Sequence, residues 1–210
     1  MNTRTPMMVV LLLLSGCALT SKSDPMEVRY FTPESSVGGT RAQTAVPVSA
    51  EGLGLALGRI RASAYLRERI AFRASANELG FYETQRWTER PESYLRRALA
   101  TSLFEQRGLE PNLGGPGATL DVELVAFEET RMPTRVARLQ IVYVLYGAGA
   151  PSIVRTVTVE RTIERSADPT LDVVRALSAA LDEGVARISD EVIARLRADA
   201  SQVQDAAQAQ

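Results

Sequence analysis

Apolar residues recur along this chain with two periods, one of two residues and one of three to four, and each period marks a type of element. Leu53, Leu55 and Leu57 alternate with Gly54, Ala56 and Gly58, which predicts a strand with one greasy and one small-residue face. The small face lets a helix or a neighbouring backbone approach closely. Val28-Arg29-Tyr30-Phe31-Thr32, ended by Pro33, and the stretches Ile70 to Arg73 and Phe81 to Trp87 read as further short strands. Leu120, Val122 and Leu124 oppose Asp121 and Glu123, the mark of a strand buried on one side. Ala137 to Tyr146 and Ser152 to Ile163 are rich in Val, Ile, Tyr and Thr. They flank Gly147-Ala148-Gly149-Ala150-Pro151, so the pair reads as a hairpin.

Two segments carry the longer period. Pro91 suits a first helical position and Glu92 the positive end of the dipole. Tyr94, Leu95, Ala98, Leu99, Ser102 and Leu103 then form one face of a helix running to Arg107, with Gly108 as its stop. The second helix starts at Asp168 as N-cap with Pro169 behind it. Its stripe is Leu171, Val174, Leu177, Leu181, Val185, Ile188, Val192 and Leu196, a rod of roughly 45 Å in which Gly184 could allow a bend. Glu34 to Pro47 and Asn112 to Gly117 are loops, and Ser201 to Gln210 reads as a disordered, polar tail. The expected class is α+β: a two-layer sandwich of a mixed, mostly antiparallel sheet with two amphipathic helices, spanning residues 26–200 as one domain.

The N-terminus is a different kind of signal. Arg4 precedes an unbroken apolar run from Met7 to Leu14, the pattern of a secretory signal. The run is too short to span a bilayer, which takes about 20 residues. It ends in Leu14-Ser15-Gly16-Cys17, which resembles the bacterial lipobox. That resemblance implies cleavage between Gly16 and Cys17, a diacylglyceryl thioether on the Cys17 sulfur and a further acyl chain, such as palmitate, on its amino group. Two or three acyl chains make a stable anchor where one does not. Residues 1–16 are then a signal peptide and residues 17–25 a lipidated tether. Ala18 follows Cys17 where, in enterobacteria-like lipoproteins, an Asp would favour retention at the inner membrane, so the resemblance implies the outer membrane, facing the periplasm.

Composition narrows the chemistry. The net charge is −1 and the apolar fraction 45%, ordinary for a globular protein and without an electrostatic footprint for nucleic acid. Lys22 is the only lysine among 24 basic residues, but the arginines are scattered among carboxylates as a mixed-charge surface would have them. Cys17 is the sole cysteine, and histidine is absent, which removes Ser-His and Cys-His machinery, histidine metal sites and an imidazole switch together. Asn112 to Thr119 is Gly-rich yet lacks the Gly-Lys-Ser/Thr ending of a phosphate loop. Glu128-Glu129, Asp182-Glu183 and Asp190-Glu191 are carboxylates adjacent in sequence, whereas acid/base catalysis needs two facing each other across a cleft. A pair drawn from separate elements leaves an envelope hydrolase as one alternative. Trp87, Tyr65 and Leu66 read first as core packing and second as contacts for a ligand or partner. The expectation is a protein that is not an enzyme, with no cofactor and no metal.

Tyr65-Leu66, Ile70, Arg73, Leu79, Arg86-Trp87, Pro91, Leu95, Leu99 and Leu103, in that order and spacing, resemble the ABC-type transport auxiliary lipoproteins, the PqiC-like subunits that accompany MCE lipid transporters. Leu120 to Leu124 with Phe127, Ala176 to Leu181 and Ile188 to Val192 extend the likeness over nearly the whole chain after Cys17. Ala62-Ser63-Ala64, Arg67-Glu68 and Glu89-Arg90-Pro91 depart from the family pattern. The resemblance implies a non-catalytic periplasmic subunit of a system that moves phospholipids between inner and outer membranes. Its partner would be an MCE-domain protein and, through it, an inner-membrane permease and ATPase, with the lipoprotein as docking adaptor at the outer membrane. A lipoprotein that regulates cell-wall synthesis or serves envelope structure is the competing reading. Carriage of a phospholipid in a cavity beneath the long helix is a further possibility.

Overall fold

The computed structural model describes residues 26–34, 52–113, 117–147 and 150–208. The expected signal peptide, Gly16, Cys17, the expected tether and most of the expected loops at 34–47, 114–116 and 148–149 lie outside them. Eight strands and two helices are described, in the order β1 (Arg29–Phe31), β2 (Gly54–Ala62), β3 (Arg69–Ser75), β4 (Glu78–Trp87), α1 (Pro91–Ala100), β5 (Glu110–Pro111), β6 (Ala118–Thr130), β7 (Val136–Gly147), β8 (Ala150–Thr162) and α2 (Pro169–Gln208). The fold is α+β, as the alternation predicts, with one mixed sheet.

The sheet forks. On one flank β6 pairs with β7 along its whole length, and β7 with β8, both antiparallel. On the other flank β6 holds two parallel strands in series, β2 along Ala118 to Leu124 and β3 along Glu128 to Thr130. β5 extends the β2 branch, and β4 then β1 extend the β3 branch. The fork sits at a bulge in β6 between Leu124 and Ala126. There the Val125 carbonyl accepts hydrogen bonds from Ser63 Oγ at 3.1 Å and from the Tyr65 hydroxyl at 3.0 Å, while Ser63 N–H reaches Leu124 O at 2.9 Å. A bulge frees a carbonyl that the ladder would otherwise use, and here the turn leaving β2 takes it up.

Both helices cover one face of the sheet. Leu120, Val122 and Leu124 of β6 and Leu139, Ile141, Tyr143 and Leu145 of β7 are buried beneath Leu177, Leu181, Val185, Ile188 and Val192 of α2. At the helix start Val173 and Val174 are buried and Leu171 only half-buried, so the stripe begins two residues later than expected. At Gly184 a Cβ would run into Leu139 Cδ2, so glycine lets the helix backbone lie directly on the sheet. On β2 the close approach is made by a side chain rather than by a helix or a backbone: a Cβ at Gly58 would collide with the Asp121 carboxylate.

Two helical boundaries differ from the sequence reading. The first helix is α only to Ala100 and continues as a π-helical segment, Thr101–Gln106, before Gly108 turns the chain with φ of 71°. In that segment Ser102 is buried and shares a 2.9 Å hydrogen bond with Ser189 of α2, and Arg107 donates to Ser102 Oγ and to Asp190. The second helix runs to Gln208 rather than ending near 200, so its 40 residues make a rod of about 60 Å and the expected tail is helical through 208.

Candidate functional site

Glu128 and Glu129 are neighbours near the end of β6, and successive strand residues point to opposite faces. Both are almost wholly buried, 0% and 1% exposed, which ionisable groups tolerate only when paired and hydrogen-bonded. Glu128 lies on the face away from the helices. Arg73 of β3 donates to it at 2.7 Å, and the Tyr65 hydroxyl, shared with Val125 O, lies 2.9 Å from its Oε2. Burial, reinforced by the nearby Glu128 charge, raises the Tyr65 pKa well above its ordinary value, so the hydroxyl keeps its proton as a donor.

Glu129 lies on the helix-covered face and gathers the end of the molecule around it. Tyr82 of β4 donates at 2.7 Å, Arg135 at 2.5 Å and Arg131 at 2.9 Å. The Arg131 guanidinium also stacks 3.5 Å over the Phe72 ring of β3. Burial pushes the Glu129 carboxyl up, but the Tyr82 hydroxyl and the two guanidiniums outweigh it and leave its pKa below the ordinary carboxylate value. Arg135 reaches on to the Pro169 carbonyl at 3.4 Å, which ties the β6–β7 turn to the start of α2. Asp168 caps that start, accepting from the amides of Thr170 and Leu171 at 3.1 Å each. Arg29 of β1 donates to the same carboxylate at 2.5 Å, so its pKa is held low by the guanidinium and the two amides. The N-terminal strand, the β6–β7 turn and the α2 N-terminus are thereby joined at one end.

The helix carboxylates are also engaged. Glu183 pairs with Arg161 and Arg187, Asp190 with Arg107 at 2.8 Å, and Glu191 with Arg155 at 3.2 Å and with the Tyr143 hydroxyl at 2.6 Å. These contacts run from α2 to β7, β8 and the end of the first helix, so the scattered arginines act as clasps between layers. Each carboxylate named here lies against a cation, an arrangement that neutralises charge rather than poising an acid opposite a base.

Trp87 and Leu66, first read as packing, are 1% and 4% exposed. Trp87 packs against Phe127 with ring centroids 5.3 Å apart and edge-on to Tyr94 at 6.2 Å. The Tyr94 hydroxyl accepts from the Glu89 amide and pairs with Thr88 Oγ1, both at 2.8 Å, which shapes the connection from β4 to α1. Tyr65, by contrast, is half-buried and polar in role, a contact that its place between two strand candidates does not reveal.

A shallow open depression of about 380 Å³ lies between α1 and β2, floored by Ile60 and rimmed by Glu89, Glu92, Ser93, Arg96 and Arg97. Arg97 is paired with Glu89 at 2.9 Å, and Arg96 reaches Gly58 O at 3.4 Å. Beneath α2 the close contact of Gly184 with Leu139 and the full burial of Leu177, Ala180, Val185 and Ile188 leave no room for an acyl chain along that stretch. Among the described residues, no group of three or more carboxylates, histidines or cysteines could hold a metal, and no helix is long and apolar enough to cross a membrane.

Solved structures share the fold. A Xanthomonas campestris protein of the DUF330 family superposes with a TM-score of 0.68 at 18% identity, over 82% of this chain and 99% of its own. An uncharacterised protein gives 0.63 at 17% identity, over 79% and 99%. The hypothetical protein CT253 of Chlamydia trachomatis gives 0.50 at 6% identity, over 70% and 98%. At such identities the likeness concerns the fold. No curated protein matches the chain. Residues 39–189 match the family described as the ABC-type transport auxiliary lipoprotein component, a span that includes the sheet from β2 to β8, both buried glutamates and the first half of α2. The chain belongs to that family of transport auxiliary lipoproteins.

Proposed function

We propose that this protein is a lipid-anchored, non-catalytic subunit of an ABC transporter of the MCE type, which moves phospholipids between the inner and outer membranes. In this reading Cys17 carries the anchor at the periplasmic face of the outer membrane. The folded domain docks the MCE-domain protein that bridges the periplasm and connects to the inner-membrane permease and ATPase.

The family match over residues 39–189 carries the reading. The structure supports a binding role in two ways. The carboxylates most open to a catalytic interpretation, Glu128 and Glu129, are clasped by Arg73 and by Arg131 and Arg135. The space beneath α2, where a carried lipid would sit, is filled by the domain's own side chains along the stretch around Gly184. A rigid, closely packed domain on a lipid tether is what a docking subunit requires, since pre-organisation limits the entropy lost on association.

Cross-linking in intact cells followed by purification of the tagged protein tests this. An MCE-domain protein is expected among the recovered partners. Its repeated absence in cells that express one from a neighbouring gene, or recovery of a cell-wall synthase in its place, would overturn the reading.

A further inference from the structure

No described helix covers the second face of the sheet, and the register fixes what stands there on the β1–β4–β3 branch. Arg69 of β3 lies directly opposite Arg86 of β4, and Arg86 lies beside Tyr30 of β1, so the three form a row across adjacent strands. Their chain neighbours Ile70, Trp87 and Phe31 are buried in the core, and alternation turns the row itself to the uncovered face. Arg73, two residues along β3 on that face, is neutralised by Glu128 at 2.7 Å. The row has no such partner. Arg69 is exposed, and its side chain makes no hydrogen bond or ion pair with a described residue. Glu68 beside it turns to Arg90 at 3.5 Å. Arg86 is half-buried, and its Nη1 donates to the Tyr82 and Gln85 carbonyls at 3.2 and 3.1 Å, which holds the guanidinium in place without an anion.

Like charges directly opposite each other across an antiparallel pair destabilise it, and such residues have Cα atoms about 5 Å apart. A carboxylate set between two guanidiniums accepts from both and removes that repulsion. Strands offer a flat surface, whereas small ligands are held in concave sites. Aromatic area adjoins the charges: Tyr30 is exposed, and half-buried Phe81 lies opposite Ala71 on the same face. Tyrosine, phenylalanine and arginine are the residue types enriched where proteins meet. We infer that Tyr30, Arg69 and Arg86 form the docking surface for a protein partner, which presents Asp or Glu side chains to the arginine pair and an apolar contact to the rings. The inference rests on the docking role of the proposed function and adds to it the face used and the chemistry of the partner's surface.

The test uses the full-length protein in intact cells that express the MCE-domain protein. The photoreactive residue p-benzoylphenylalanine replaces Tyr30 on the proposed surface, or Ala179, which is exposed on α2. On irradiation the Tyr30 variant is expected to give an adduct with the MCE-domain protein, identified by mass spectrometry, and the Ala179 variant none. Arg69→Glu with Arg86→Glu should cut that adduct, and recovery of the partner by affinity purification, by about tenfold or more, while Arg69→Lys with Arg86→Lys retains most of it. Arg69→Glu alone, at a side chain with no bond to lose, should keep the native urea midpoint and still lower recovery several-fold. Recovery at the native level from the Arg69→Glu, Arg86→Glu protein would overturn the surface and leave the docking role standing. A Tyr30 adduct formed only with lipid or with a second copy of this chain would overturn it too. Native protein that recovers no MCE-domain protein would sink the surface and the docking role together.

Discussion

Replacing Glu129 with glutamine isolates the energy of the charge cluster at the α2 end of the molecule. The side chain keeps its shape and can still accept from Tyr82, but Arg131 and Arg135 lose their anion. Breaking a buried ion pair from one side costs about 3–5 kcal/mol when the remaining charge is trapped. Here the orphaned guanidiniums are 40% and 28% exposed and can recover water, which lowers the expected loss to roughly 2–3 kcal/mol at pH 7. With a urea m-value of about 2 kcal/mol per molar, the unfolding midpoint should fall by about 1 M.

The same substitution carries a pH signature. In the folded protein Glu129 titrates below its unfolded counterpart, whose pKa is about 4.3. Its stabilising effect is therefore complete above the unfolded value and is lost as the pH falls through the folded one. The difference between the two proteins removes what they share and leaves the contribution of the Glu129 cluster. Urea titrations of both proteins from pH 7 to pH 3 should show a gap that is constant above about pH 5 and closes below it. A gap under about 0.5 kcal/mol at neutral pH, or one that stays constant down to pH 3, would refute the cluster as described.

Other substitutions probe separate layers of the structure. Gly184→Val drives a branched side chain into Leu139 and should destabilise by about 1–3 kcal/mol, read from the urea midpoint; an unchanged midpoint would mean that helix and sheet are further apart. Ser102→Ala removes the buried partner of Ser189 and an acceptor for Arg107, at a cost of about 1–3 kcal/mol in the same assay. Trp87→Ala empties the site against Phe127 and Tyr94 and should cost about 3–5 kcal/mol by thermal or urea unfolding. Tyr65→Phe leaves Val125 O to Ser63 alone and deprives Glu128 of one donor, so a loss of about 1 kcal/mol is expected.

Local periodicity made the helices and the β7–β8 hairpin legible, because those elements bury one face over many residues and carry caps such as Asp168 and Gly108. The fork in the sheet was not. It depends on a bulge at Val125 and on hydrogen bonds from Ser63 and Tyr65, some 60 residues earlier, and neither leaves a mark in the pattern of apolar positions. Glu128-Glu129 read only as carboxylates adjacent in sequence, because their cations come from β3 and from the turn after β6, which only the folded chain brings together. The helical continuation past residue 200 escaped notice because no apolar stripe extends there, although Ala198, Ala200, Ala206 and Ala207 have the highest helix propensity.

The proposed role as an adaptor held at a bilayer depends above all on acylation of one thiol. Cells fed an alkyne analogue of palmitate and then fractionated measure it directly, comparing the native chain with Cys17→Ser. The native protein should carry the label and sediment with membranes, while the serine variant should lose the label and remain with its signal peptide uncleaved. A serine variant that is still labelled and still released from its precursor would contradict the account.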